Sequence, residues 1–234
     1  MSGRAWPWAA FLALLGCSGS PTESHVSAAA RGQALFESAS DVGFSCATCH
    51  PGKDADPTLI LPGADLHGAT GRTSFWGGQQ NDLLRAVNDC RSLFQGIKPP
   101  LEPQDPKAQD LYAFLSTLDG AGDAIPFSVV RSVTDLPAGD AARGDAVYQN
   151  ACQTCHGEQH TRRGAITELT PTLPDEVLHE HATFTADERR VVFVEKVRHG
   201  GFLGYVGSMP PFSLEVLPDA ELADLLSSLE LYAP

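Results

Sequence analysis

Hydrophobic positions are unevenly spread along the chain. The longest apolar run, Ala5 to Leu15, is broken only by Pro7, and Arg4 is the one charge in residues 1–16. Such a run is too short to span a bilayer and suits the core of an export signal. Residues Ser18 to Ser27 are polar and suit a flexible tether. Beyond them, apolar residues recur at helical spacing. Ala29-Ala30-Arg31-Gly32-Gln33-Ala34-Leu35-Phe36 and Ala141-Ala142-Arg143-Gly144-Asp145-Ala146-Val147-Tyr148 share Ala-Arg-Gly and then an aromatic residue five positions after the arginine. Both read as helices. Two later helical segments, starting at Pro106 and Pro218, open on proline, which suits a helix start. Gly120 is a plausible stop for the first of these. A further helical run covers Asp82 to Asp89. The pattern predicts an all-α chain made by duplication.

The candidate chemistry falls inside the same duplication. The six cysteines are Cys17, Cys46, Cys49, Cys90, Cys152 and Cys155. Four of them form Cys46-Ala47-Thr48-Cys49-His50 and Cys152-Gln153-Thr154-Cys155-His156. Two thiols three positions apart on one helical turn can add to the two vinyl groups of one haem. The next residue, histidine, then lies under the iron as proximal ligand. A shared zinc site would not need histidine after each pair. A redox dithiol would sit in a βαβ context that this chain lacks. The motifs therefore predict two covalent haem c groups, on Cys46, Cys49 and His50 and on Cys152, Cys155 and His156.

The sixth iron ligand must come from elsewhere in each half. Met209, in Gly207-Ser208-Met209-Pro210-Pro211-Phe212, is the only methionine besides the initiator. It is the candidate for the second iron, with His199 a minor alternative, and His160, His179 and His181 read as polar surface. No methionine is left for the first iron. Lys98, in Gly96-Ile97-Lys98-Pro99-Pro100-Leu101, aligns with Met209. Cys90 lies eight residues earlier, has no disulfide partner, and would be a competent thiolate ligand. The candidates for the first iron are Cys90, His67, Lys98 or an open position. Each iron is expected to depend on its own half alone.

Each half resembles a class I cytochrome c domain: an N-terminal helix, C-x-x-C-H, a loop-rich middle and a C-terminal helix. The resemblance implies that the two terminal helices cross closely at Gly32 with Phe36 and at Gly144 with Tyr148. It implies domains over 28–119 and 140–234 joined by a linker over 120–139, whose apolar middle from Ile125 to Val133 would pack across both. The Met-Pro-x-Phe loop is similar to that family's methionine loop, which supports Met209. Cys90 followed by Lys98-Pro99 is similar to a segment of thiosulfate dehydrogenase and of the haem subunit of the Sox system, where a cysteine is the axial ligand of the catalytic haem. The pattern departs from that family through the inserted Ile97 and through the stretch from Leu61 to Gly78. Under this resemblance Arg72, Arg85, Arg91 and Lys98 would attract a small sulfur anion. Leu14-Leu15-Gly16-Cys17 resembles the bacterial lipoprotein cleavage box. It implies that residues 1–16 are removed, that Cys17 is lipidated, that residues 17–27 form the tether, and, since Ser18 replaces the retention aspartate, that the outer membrane holds the anchor.

Composition narrows the partners. Acidic residues outnumber basic ones 29 to 16, for a net charge of −13 and a pI near 4.9. That excludes a general nucleic-acid binder, which needs a positive face. With 42% hydrophobic and 19% charged residues, the chain is not an acidic disordered one. The expectation is an exported carrier that passes electrons between its haems and periplasmic donor and acceptor proteins. The alternative is an oxidoreductase acting on a small sulfur anion at the first haem.

Overall fold

The computed structural model describes residues 26–52, 56–129, 136–180, 183–201 and 207–231. The export signal, Cys17 and nearly all of the tether lie outside them. The described residues form nine α-helices: α1 (Ala28–Glu37), α2 (Cys46–Cys49), α3 (Leu83–Leu93), α4 (Pro106–Leu115), α5 (Ala141–Val147), α6 (Gln153–His156), α7 (Asp175–Glu180), α8 (Ala186–His199) and α9 (Asp219–Ser228). They hold no strand, only an isolated bridge between Phe75 and Gln80. The all-α fold expected from the pattern is the fold observed. No described helix is long and apolar enough to cross a membrane.

The helix starts follow local chemistry. Ser27, Asp82 and Asp140 accept hydrogen bonds from the backbone N–H of Ala30, Arg85 and Arg143, at 3.2, 2.8 and 3.0 Å. Each satisfies a donor that a helix leaves unpaired at its N-terminus. Pro106 occupies the first turn of α4, where its missing N–H costs nothing.

Two helix crossings organise the molecule, α1 on α4 and α5 on α9. A Cβ on Gly32 would overlap the carbonyl of Asp110, and one on Gly144 would overlap the carbonyl of Asp224. Only glycine lets these backbones approach so closely. Beside each glycine an arginine reaches across the crossing. Arg31 donates to both carboxylate oxygens of Asp110 at 2.8 and 2.6 Å, and Arg143 does the same to Asp224 at 2.8 and 2.9 Å. The aromatics complete each crossing. Phe36 packs on Phe114 with ring centroids 5.2 Å apart, and the Tyr148 hydroxyl donates to the Gly157 carbonyl at 2.9 Å. Separate apolar clusters form around Phe36 and around Tyr148.

The copies differ between the crossing and the cysteines. In the second, α5 continues through a π-turn (Tyr148–Cys152) into α6. In the first, the extra residues form a tight turn, with Ser40 N–H bonded to Phe44 O at 2.9 Å. That turn brings Gly43 against Ile166 and Thr167 of the other half. Ile60 N–H donates to Asn150 O at 2.9 Å, and its side chain packs on the second cluster.

The connecting segment also touches both halves. Gly120 and Gly122 lie against Gly68, whose φ of 70° is in the left-handed region that favours glycine. Ser128 donates its N–H to the Glu215 carboxylate and accepts from Leu214 N–H, both at 3.0 Å. Val130 to Val133 lie outside the described residues.

Candidate haem-binding sites

The first C-x-x-C-H begins where Ser45 and Thr48 cap α2 reciprocally. This holds Cys46 and Cys49 on one turn, with His50 at its end. All three line an apolar cavity closed by Phe36, Leu111 and Leu115 of the α1–α4 crossing. His50 Nδ1 lies 2.7 Å from the Ala64 carbonyl. A carbonyl only accepts, so Nδ1 carries the proton and Nε2 keeps its lone pair for a metal. Gly63 makes room for the ring, because a Cβ there would collide with His50 Nδ1. In the second half, His156 Nδ1 lies 3.1 Å from the Pro171 carbonyl. The two histidines thus have the same tautomer from equivalent contacts, 14 and 15 residues downstream.

Burial pushes the thiols up: Cys49 and Cys152 to about 12 and Cys155 to about 11, with Cys46 raised as well. Such sites disfavour thiolates and suit uncharged thioethers. Arg72 lines the first cavity and donates to His67 O at 2.6 Å, while its Nε is buried without a hydrogen-bond partner. A haem carboxylate is the kind of acceptor that Nε requires. Paired thiols, an Nε2 held open, apolar walls and this orphaned donor all fit haem c.

Helix α3 also lines the first cavity. Leu83, Ala86, Val87 and Cys90 face the cavity from it. Burial raises the Cys90 thiol strongly, and the nearby Cys46, Cys49 and Asp89 add to the effect. His67 is exposed and engaged with Asp65 at 2.6 Å, and Lys98 is exposed. Neither lines the cavity. The structure therefore brings Cys90, and not His67 or Lys98, to the residues of the first C-x-x-C-H. Of the four cations expected around an anion, Arg72 alone lines the cavity. Arg91 is half-buried near Cys46 and donates to Asn88 at 3.2 Å, and Arg85 is exposed.

Met209 is half-buried and packs against the second cluster. Its loop is fastened to α8: Gly201 N–H donates to Met209 O at 2.8 Å and Phe212 N–H to Val197 O at 2.9 Å. Arg198, wholly buried, donates from Nη1 to Leu217 O at 2.6 Å and Phe212 O at 3.1 Å, and from Nη2 to Asp219 at 2.6 Å. His199, the minor alternative, is buried with Nδ1 2.8 Å from Glu195. His160 is exposed and paired with Asp175 at 2.9 Å, while His181 lies outside the described residues.

Residues 139–227, from the α5 start through Met209 into α9, match the family model described as Cytochrome C oxidase, cbb3-type, subunit III. The chain contains a cytochrome c domain. That domain implies covalently bound haem c and electron transfer, as its motif does. A thiosulfate dehydrogenase from Allochromatium vinosum is 29% identical over 126 residues. The matched region covers 49% of this chain and 44% of that protein, so the chain spans less than half the length of this curated relative.

Sequence reasoning overlooked Ala64, Pro171 and Arg198. The first two act through backbone carbonyls, which leave little trace in side-chain identity. Pro62-Gly63-Ala64 and Thr170-Pro171-Thr172, proline-containing segments a similar distance behind their histidines, are the available signal. Arg198 reads as a surface charge until α8 is seen to be buried.

Proposed function

We propose that this chain is a diheme c-type cytochrome of the bacterial envelope, with domains over 28–119 and 140–234, a linker over 120–139 and a lipid anchor on Cys17. Haem c supplies a one-electron Fe(III)/Fe(II) couple at each site. His50 and His156, each oriented by one backbone carbonyl, would hold the irons, with Cys90 the candidate further ligand of the first and Met209 of the second. A thiolate pushes electron density onto iron, whereas a thioether raises the potential. Haems so held would pass electrons from the first site to the second and on to periplasmic acceptor proteins. The observation that carries this reading is the repeated histidine-to-carbonyl bond behind both motifs, which presents two Nε2 lone pairs in the same way. Mass spectrometry of the denatured mature protein tests it. Two added haems are expected, and haem extractable into acid-acetone would overturn it.

A second reading is favoured by Cys90 in the first cavity together with the thiosulfate dehydrogenase match. In that reading the first haem oxidises a small sulfur anion and the second exports the electrons. Steady turnover of thiosulfate by the wild-type protein, abolished in Cys90→Ala, would establish it. The carrier reading expects no such turnover, since of the four candidate cations only Arg72 lines the cavity, on the side of His50.

A further inference from the structure

Two residues in the wall of the first cavity come from the other end of the sequence. Pro210 and Pro211 directly follow Met209, are buried, and line the same cavity as His50 and Cys90. Ile125, Pro126 and Phe127 of the connecting segment close an adjoining part of the wall. Phe127 meets Trp76 edge-on, with ring centroids 5.6 Å apart. The first half on its own therefore does not enclose its own cavity.

The fastening of this wall is stiff. Arg198 and the Val197 carbonyl grip Phe212, and the Gly201 N–H grips Met209, so the prolines are held between two clamped residues. Two prolines in succession add their own rigidity, because each ring fixes φ. A backbone displacement at Met209 therefore moves the prolines with it, because neither ring lets φ adjust between them, and densely packed interiors transmit such strain. The two halves also meet close by: Ile60 packs on the second cluster and bonds Asn150, and Gly43 lies against Ile166 and Thr167.

We propose that the Met209–Pro211 segment is shared by the two sites: its methionine ligates the second iron, and its prolines set the polarity and water access of the first haem. Ligation at the second site is thereby coupled to the potential of the first. This rests on the two-haem reading above and adds a coupling that neither motif encodes.

The test uses the full-length diheme protein and two single variants, Met209→Ala and Pro211→Gly. Low-temperature EPR of the ferric protein and a potentiometric titration resolve each haem. In Pro211→Gly the methionine-to-iron charge-transfer band should remain, showing that the loop and the second iron are intact. The first haem should nevertheless change its g-values, and its reduction equilibrium should move by about tenfold, equivalent to about 59 mV for one electron. In Met209→Ala both haems should move. A first haem unchanged in Met209→Ala overturns the coupling, and a first haem unchanged in Pro211→Gly overturns the role of the prolines in its cavity. The two-haem reading fails separately, if the wild-type protein carries fewer than two haems or shows a single low-spin signal.

Discussion

The two candidate haem-binding sites share one face and differ on the other. On the histidine side they are near copies: Arg31 with Gly32 and Asp110 matches Arg143 with Gly144 and Asp224, and Ala64 stands behind His50 as Pro171 does behind His156. Away from the histidines each copy again has a helix with a Pro-Pro loop fastened to it, Asn88 of α3 to Leu101 and Arg198 of α8 to Phe212, but the candidate ligands differ. The first site meets a helix, α3, that brings Cys90 to the cavity. The second has a loop that carries Met209 and is fastened to α8 by Arg198. The comparison teaches where the molecule is constrained. Attachment of a haem requires one geometry, so it is repeated. The sixth ligand sets what the iron does, so that is where the copies part.

The comparison breaks most completely if attachment is removed from one side. Cys46→Ser with Cys49→Ser should leave a protein with one covalent haem, on Cys152 and Cys155, and its mass should fall by one haem. Loss of both haems from this variant would mean that the halves are not separately loaded.

Arg198 should come next. Arg198→Met leaves the Phe212 and Leu217 carbonyls and Asp219 without their buried donor. Leaving a buried acceptor without its donor costs about 1–3 kcal/mol, while Asp219, half-exposed, can turn to water. The methionine-to-iron charge-transfer band should weaken along with thermal stability, while the Cys90-linked signal keeps its intensity. A band of unchanged intensity would show that the Met209 loop does not depend on α8.

The crossings should respond alike. Gly32→Val and Gly144→Val drive a side chain into a carbonyl of the facing helix, and overpacking of this kind costs about 1–3 kcal/mol. Thermal denaturation of the two variants should fall by similar amounts. A clear inequality would mean that the shared framework carries unequal loads.

Acid should act most weakly. Burial alone would raise the Glu215 carboxyl, but hydrogen bonds from Ser128 hold it down at about 2, below its ordinary value of 4.5. Hydrogen bonding to Arg143 likewise lowers Asp224. A depressed carboxyl stabilises the fold above its unfolded value and loses that contribution as pH falls through the folded value. Stability should therefore drop below about pH 4.5 towards 2, and Glu215→Gln should reduce the slope. Denaturant titrations across that range measure it.

The sequence made the shared side legible and much of the other side illegible, for physical reasons. Covalent attachment needs fixed residue types at fixed spacing, so both C-x-x-C-H motifs could be read directly. The crossing glycines were legible through the resemblance to class I cytochrome c domains, and the structure supplies the reason, since a Cβ at either would meet a facing carbonyl. Asp82 to Asp89 read as a helix, and α3 runs four residues further, to Leu93, carrying Cys90 onto the cavity. By contrast α8 was missed. It buries Glu195, Arg198 and His199 along with Phe193, Val194 and Val197, so no clean apolar stripe marks it. The walls contributed by Pro210 and Pro211 could not be read at all, because no local pattern reports a contact between distant halves. Independence of the two irons was the natural expectation from two self-contained motifs, and the shared wall argues against it.

Low-temperature EPR of the oxidised protein tests most directly the proposal that two haems on a repeated framework carry different sixth ligands. Two low-spin ferric species with distinct g-tensors are expected. One should be thiolate-like and disappear in Cys90→Ala, and the other should lose its character in Met209→Ala. A single species, or a spectrum that Cys90→Ala leaves unchanged, would contradict the account.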